Sequence, residues 1–106
     1  MAAAAQQLSA SEIENVLEGN TIVGTWGGDR YRQYFAEDGT TIYLSDEGKR
    51  AQGQWRVDPE QDVYESWWMS TGWTPYALVD VPDDGYAWRN GDRVEPFEVK
   101  EGRQIE

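Results

Sequence analysis

The 106-residue sequence contains no histidine and no cysteine. These absences exclude a Ser-His-Asp triad, a cysteine nucleophile, a disulfide and a zinc site built from His or Cys. Basic residues are scarce as well, since 9 Lys and Arg stand against 20 Asp and Glu and give a formal net charge of −11. Nucleic-acid binding needs clustered positive charge, so we expect no nucleic-acid partner.

Long apolar runs are also missing, and none approaches the roughly 18 residues of a membrane span. Residues 1–7 read as one Met, four Ala and two Gln, without the basic and apolar regions of a signal peptide. We assign 1–7 to a disordered N-terminal tail. This tail resembles the small-residue stub at a signal cleavage site, which favours a periplasmic or secreted protein. The alternative is an ordinary frayed terminus on a cytoplasmic protein.

Aromatic residues are abundant, with 6 Trp, 6 Tyr and 2 Phe. The rings recur in short blocks with β-branched residues, which disordered chains lack. Each ring buries about 150–250 Å², so a few of them can anchor a small core. The residues that we expect in that core are Trp26, Phe35, Trp55, Ile13 and Leu17.

A short helix is predicted over residues 9–18. Ser9 and Glu12 have the spacing of a capping box, and Gly19 follows as the stop signal. Apolar residues recur at i, i+3 and i+4, which gives one narrow stripe that must dock on the rest of the domain. The members of this stripe are Ile13, Val16 and Leu17.

The rest of the domain alternates polar and apolar residues between turn signals. The strongest signal is Asn90-Gly91, which is typical of a type I′ hairpin turn. Regular spacing with short turns predicts antiparallel neighbours in an up-and-down meander, closed or half-open as a small barrel. The eight predicted strands are 21–26, 31–36, 40–44, 50–57, 63–69, 73–81, 86–89 and 92–99. We therefore expect one all-β domain with an N-terminal helix over 8–99, and a C-terminal tail over 100–106.

Alternation along each strand assigns side chains to faces. On the third strand, Ile42 and Leu44 share a face. The fifth strand is ambiguous, because aromatic rings fall on both of its faces. One face carries Val63, Glu65, Trp67 and Met69, and the other carries Tyr64, Ser66 and Trp68.

A short helix followed by Gly24-Thr25-Trp26 resembles the Gly-x-Trp signature of the lipocalins, or calycins. The sequence is more closely similar to small bacterial lipocalin-like proteins, on four stretches. These are 24–26, 34–40, 53–57 and 66–68. The resemblance implies an up-and-down barrel in which the Trp closes one end and stacks on an arginine, for which Arg93 and Arg103 are both candidates. It also implies frequent export and a cysteine pair, which this sequence lacks.

Two binding functions fit these patterns. The first is a non-enzymatic interaction module whose aromatic β surface stacks on sugars or anchors a protein, as exposed Trp side chains do. Its candidate residues are Trp67, Trp68, Trp73, Tyr64, Glu65 and Tyr76. The alternative is a carrier that holds an apolar or sugar-like small molecule in an internal cavity. Since the strands are short and the rings bulky, we expect the interior to be filled.

Catalysis and metal binding have weaker signals. Glu65 is the only acid within an aromatic strand, but glycoside hydrolysis needs a second carboxyl, and none is identifiable. Asp80, Asp83 and Asp84 surround a turn without the spacing of a calcium loop. We therefore expect no enzyme activity, no cofactor and no metal. The expected protein is a monomer or weak homo-oligomer with a small-molecule or protein partner.

Overall fold

The computed structural model describes residues 6–81 and 85–105 and consists mainly of antiparallel strands. Its elements are β1 (Gln6–Gln7), α1 (Ala10–Leu17), β2 (Thr21–Trp26), β3 (Asp29–Phe35), β4 (Thr40–Ser45), β5 (Arg50–Asp58), β6 (Val63–Trp68), β7 (Gly72–Val81), β8 (Gly85–Asn90) and β9 (Arg93–Lys100). Each strand from β2 to β9 pairs with the next, and β9 returns to β2. The result is a closed eight-stranded barrel, so the predicted all-β fold with one N-terminal helix is confirmed.

No helix within the described part of the chain combines the length and the apolar character needed to cross a membrane.

The helix begins at the predicted capping box. Ser9 Oγ accepts the Glu12 amide at 3.3 Å, and Glu12 Oε1 accepts the Ser9 amide at 3.0 Å. Hydrogen bonding of the Glu12 carboxylate to the backbone amide of Ser9, and secondly to its side chain, lowers the pKa of Glu12. Asp62, in the left-handed region at φ 54°, accepts the Ala10 amide at 2.9 Å. The β5–β6 turn therefore fixes the start of the helix as well.

The apolar stripe of the helix closes one end of the barrel. Ile13 and Leu17 are completely buried, and Val16 packs against the same core. The helix contacts β5 and β6, and the Gly19 amide donates to the Phe35 carbonyl at 2.7 Å. Because this helix is short, its stability depends on that packing rather than on intrinsic propensity.

Closure of the barrel depends on a close approach between β2 and β9 at Gly24. A Cβ atom at this position would lie 2.9 Å from both Phe97 Cβ and the Pro96 carbonyl oxygen. Only glycine lets the two strands pair at this distance. This gives the first residue of the Gly-x-Trp motif a steric role.

The β2–β3 and β8–β9 hairpins have different turn types. Gly27 and Gly28 both have positive φ, as a type I′ turn requires. The type I′ turn predicted at Asn90-Gly91 is wrong, because Asn90 pairs with Arg93 and leaves Gly91-Asp92 as the loop. Positive φ at Gly91 alone, at 61°, is the pattern of a type II′ turn.

The described residues nearest to the two chain ends, Gln6–Gln7 and Gly102 to Ile105, pack on the barrel. Gln6–Gln7 were predicted within the disordered tail, but they pair with β7, which extends beyond β6 and offers free backbone groups. Residues 1–5 lie outside the described part. At the other end, Thr21 Oγ1 donates to the Gly102 carbonyl at 2.7 Å and accepts from the Gln104 amide at 2.8 Å. Ile105 is completely buried as a result.

Ile42 and Leu44 share one face of β4, as predicted, and this face is the outer one. Thr41, Tyr43 and Ser45 occupy the inward positions, with Thr41 fully buried. Thr41 tolerates burial because its hydroxyl donates to the Tyr34 carbonyl at 2.9 Å. Polar pairing thus overrides hydrophobicity on this strand.

Phe35 occupies the centre of the core on the helix side. It is fully buried, and its ring centroid lies 5.5 Å from that of Trp55 and 5.8 Å from that of Tyr64, both edge to face. The ring centroid of Trp88 lies 4.6 Å from that of Tyr64, so Trp88 extends the same cluster. Such pairs add stability beyond the area they bury.

Replacing Phe35 with alanine should therefore destabilise the protein by about 3–5 kcal/mol, because the edge-to-face contacts are lost and a cavity remains. The urea midpoint of unfolding measures this. Val94→Ala is the matched control, since Val94 is 52% exposed and should change stability little. Equal midpoints for the two variants would contradict the assignment of Phe35 to the core.

Candidate functional site

A cavity of about 250 Å³ opens at the end of the barrel opposite the helix. Its wall consists of rings and two polar side chains. The lining residues are Trp26, Tyr31, Gln33, Tyr43, Tyr64, Ser66, Trp68, Tyr76 and Trp88. The expectation of a filled interior is wrong at this end, because Gln33 and Ser66 occupy inward positions where larger rings would fill the space.

Strand alternation brings these residues together from distant parts of the chain. Tyr31 and Gln33 are alternate residues of β3, while Tyr64, Ser66 and Trp68 are alternate residues of β6. Because successive strands close on themselves, all of these side chains face one interior. This settles the ambiguity of the fifth predicted strand, whose Tyr64 face is the inward one.

Gly53 on β5 makes room for the wall of the cavity. A Cβ atom there would lie 2.8 Å from Trp68 Cε3 and would also meet the Trp67 carbonyl oxygen. The Trp68 ring therefore lies directly over the glycine. From this position its indole Nε1 donates to Ser66 Oγ at 3.1 Å.

An arginine and two rings stand at the mouth. Trp26 meets Tyr76 edge to face at 5.6 Å, and the Arg93 guanidinium lies 4.0 Å from the Trp26 ring centroid. Arg93 also pairs with Glu95 at 3.1 Å. Arg103 instead lies over Tyr34, at 5.5 Å. Of the two candidates for the arginine of the Gly-x-Trp motif, Arg93 is therefore the one that stacks on Trp26.

Inside the cavity, several hydroxyl oxygens already accept hydrogen bonds from the protein. Tyr31 Oη accepts from Trp88 Nε1 at 3.2 Å, and Tyr64 Oη accepts from Gln33 Nε2 at 3.3 Å. These bonds fix the positions of the two phenols. Each phenol keeps its own proton as a donor.

The orientation of the Gln33 amide follows from its neighbour Thr41. The Thr41 hydroxyl donates to the Tyr34 carbonyl, so its oxygen can only accept from Gln33, at 2.9 Å. The Gln33 nitrogen must therefore face Thr41 and Tyr64. Gln33 Oε1 then has no hydrogen-bond partner among the residues that the structure describes.

Burial keeps the phenols of the cavity protonated. It raises the pKa of Tyr31, against the opposing effect of the bond from Trp88. It also raises the pKa of Tyr64, against bonds from Ser66 and Gln33. The cause is desolvation of the charged form. At neutral pH both groups are therefore hydrogen-bond donors.

The six binding residues predicted from sequence do not form one site. Tyr64, Trp68 and Tyr76 line the cavity. Glu65, Trp67 and Trp73 lie on the outer face, where Glu65 accepts from Arg56 at 2.9 Å. The Arg56 guanidinium lies 3.8 Å from the Trp73 ring centroid and covers one of its faces.

Four of the five predicted core residues are buried, and Trp26 is not. Phe35, Trp55, Ile13 and Leu17 are buried. Trp26 is half-buried and belongs to the cavity wall. Its ring is thus available to a ligand as well as to the core.

Five residues of the cavity were predicted from sequence neither as binding residues nor as core residues, and Trp26 was predicted for the core alone. The five residues are Tyr31, Gln33, Tyr43, Ser66 and Trp88. One sequence feature could have indicated the cavity. On β3, the uncharged amide of Gln33 lies between two inward aromatic residues, Tyr31 and Phe35. A polar side chain at such a buried position needs hydrogen-bond partners inside the barrel, so it indicates a polar site there.

The acidic turn near Asp80 is only partly described. Asp83 and Asp84, which were considered as oxygen ligands, lie outside the described residues. Within residues 6–81 and 85–105, no group of three or more carboxylates is placed to hold a metal ion.

Comparison with known proteins found no matching family model, no matching curated protein and no matching solved structure.

The buried phenols make stability sensitive to high pH. Below their ordinary pKa of about 10, Tyr31 and Tyr64 are neutral in the folded and unfolded chains alike. Above it, the unfolded chain loses these protons while the folded chain, with its raised pKa values, retains them. The free energy of unfolding should then fall by up to about 1.4 kcal/mol per pH unit for each group.

Urea unfolding between pH 8 and 12 measures this fall. A Tyr31→Phe/Tyr64→Phe variant should lose less stability above pH 10 than the wild type does. Tyr34→Phe is the control, since Tyr34 lies on the opposite face of β3 beside Arg103. Identical pH profiles for the wild type and the double variant would show that these phenols do not govern the loss.

Proposed function

We propose that this protein is a non-enzymatic, lipocalin-like binding protein that holds one small molecule in the aromatic cavity. The observation that carries the proposal is the open end of a closed barrel, lined by seven aromatic rings and by polar atoms free to bond. Ligand sites are typically concave, largely apolar and supplied with a few placed polar groups. At about 250 Å³ the cavity suits a compact ligand.

The steric and stacking roles of the Gly-x-Trp motif support the lipocalin-like assignment. Gly24 admits β9, and Trp26 stacks under Arg93 at the mouth. Both roles depend on the contact between the first and last strands of the barrel. The stacking on an arginine matches what the resemblance implies for the Trp, whereas the place of Trp26 at the open mouth differs from the closed end that the resemblance implies.

The outer aromatic surface supports the second candidate function, an interaction module. Trp73 is 37% exposed and Met69 is 91% exposed, which gives a partner some apolar area. However, Arg56 covers one face of Trp73 and neutralises Glu65, so a sugar ring would have to displace it. The cavity needs no such rearrangement, and we favour it for that reason.

The six Trp indoles allow the two sites to be told apart in one experiment. Titration with naphthalene, followed in ¹H–¹⁵N spectra of the indole N–H groups, should shift the signals of Trp26, Trp68 and Trp88. The signals of Trp67 and Trp73 should stay in place, because these rings lie on the outer face. Saturable shifts confined to the outer pair would favour the surface instead.

A pair of variants provides the control. Ser66→Leu should abolish the shifts, since Ser66 is buried in the cavity wall and a larger side chain would fill the space. Trp73→Leu should leave binding unchanged. Absence of saturable binding to the wild-type protein at any indole would remove the proposed function.

A further inference from the structure

The cavity contains a buried acceptor that the protein leaves unused. Gln33 is only 7% exposed, yet its Oε1 atom has no partner among the described residues. No fully enclosed side-chain nitrogen or oxygen in the described part lacks a hydrogen bond. Gln33 Oε1 must therefore border the open volume of the cavity. A ligand with an N–H or O–H donor would satisfy it.

Hydroxyl donors stand beside this acceptor. Tyr64 Oη lies 3.3 Å from the Gln33 nitrogen, so its hydroxyl is next to the same amide group. Tyr31 is two residues from Gln33 on the same face of β3 and has its oxygen occupied by Trp88. Each phenol therefore has a hydroxyl proton left to donate to a ligand. A carbonyl oxygen is the natural counterpart.

The remaining surface of the cavity selects flat and uncharged molecules. Among the residues that the structure describes, no Asp, Glu, Lys or Arg belongs to the lining, so a charged ligand would lose its hydration without gaining a counter-charge there. Seven of the nine lining side chains are aromatic, and aromatic rings favour planar ligands that can stack on them or meet their edges.

We propose that the ligand is an uncharged planar heterocycle with an N–H donor next to a carbonyl acceptor, as in a lactam, bound by Gln33 and the Tyr31 and Tyr64 hydroxyls. This inference rests on the proposed function. It differs from the general expectation of an apolar ligand, because the recognition lies in a paired donor and acceptor on one edge of the molecule.

Three probes of similar size test the inference by isothermal titration. They are 2-quinolinone, N-methyl-2-quinolinone and naphthalene. The N–H of 2-quinolinone should bind Gln33 Oε1, so we expect it to bind about fivefold more tightly than its N-methyl derivative, the effect of one net hydrogen bond. In the Gln33→Met variant, the ratio of the affinities for 2-quinolinone and N-methyl-2-quinolinone should fall to about one.

Gln54→Met is the matched control, because it makes the same substitution at an exposed position of β5. It should leave the ratio near five. Tyr31→Phe is a second, independent variant that keeps Gln33. It should weaken both quinolinones about equally and leave naphthalene unchanged, since only the carbonyl loses its donor.

The outcomes separate the two proposals. If none of the three probes binds, the proposed function fails. If naphthalene binds but the wild type shows no preference for the N–H compound, or Gln33→Met keeps that preference, then the lactam inference is overturned and cavity binding stands. Should Gln33→Met not fold, the Tyr31→Phe comparison decides alone, and equal weakening of naphthalene would count against the inference.

Discussion

The approach of β9 to β2 at Gly24 is the contact on which the rest of the structure depends. Without a side chain at this position, Phe97 and Pro96 reach the backbone of β2 and the sheet closes. Closure makes one interior from residues far apart in sequence, such as Tyr31, Tyr64 and Trp88. It also removes the open edges that an eight-stranded sheet would otherwise expose to other chains. An open sheet would contain the same residues but no cavity.

The sequence predicted the helix and the strand order well, because those features depend on local signals. Ser9 and Glu12 form the capping box that their spacing indicates. Alternation placed Ile42 and Leu44 on one face of β4 but could not show that this face is the outer one. Ile42 and Leu44 are the more apolar residues, yet Thr41 is buried because Gln33 and the Tyr34 carbonyl pair with its hydroxyl. Because these hydrogen bonds join residues on different strands, no pattern within the sequence of β4 predicts them.

The candidate site was predictable only in part, for a related reason. Alternation placed aromatic residues on both faces of β6, and it cannot say which face is inward without the neighbouring strands. The closed barrel assigns Trp68 to the cavity and Trp67 to the outside. Nor can the sequence show that Gln33 Oε1 is left unpaired, since that follows from the direction of the Thr41 hydrogen bond.

The helix covers one end of the barrel with Ile13 and Leu17, and the cavity opens at the other end. A molecule that enters there passes Trp26 and the Arg93 guanidinium that lies over it. A molecule already inside would block the arrival of a second one, so exchange requires departure first. For the proposed ligand, the side chains at the mouth would then act on the rate of release, and Gln33 and the phenols inside the barrel would act on selection.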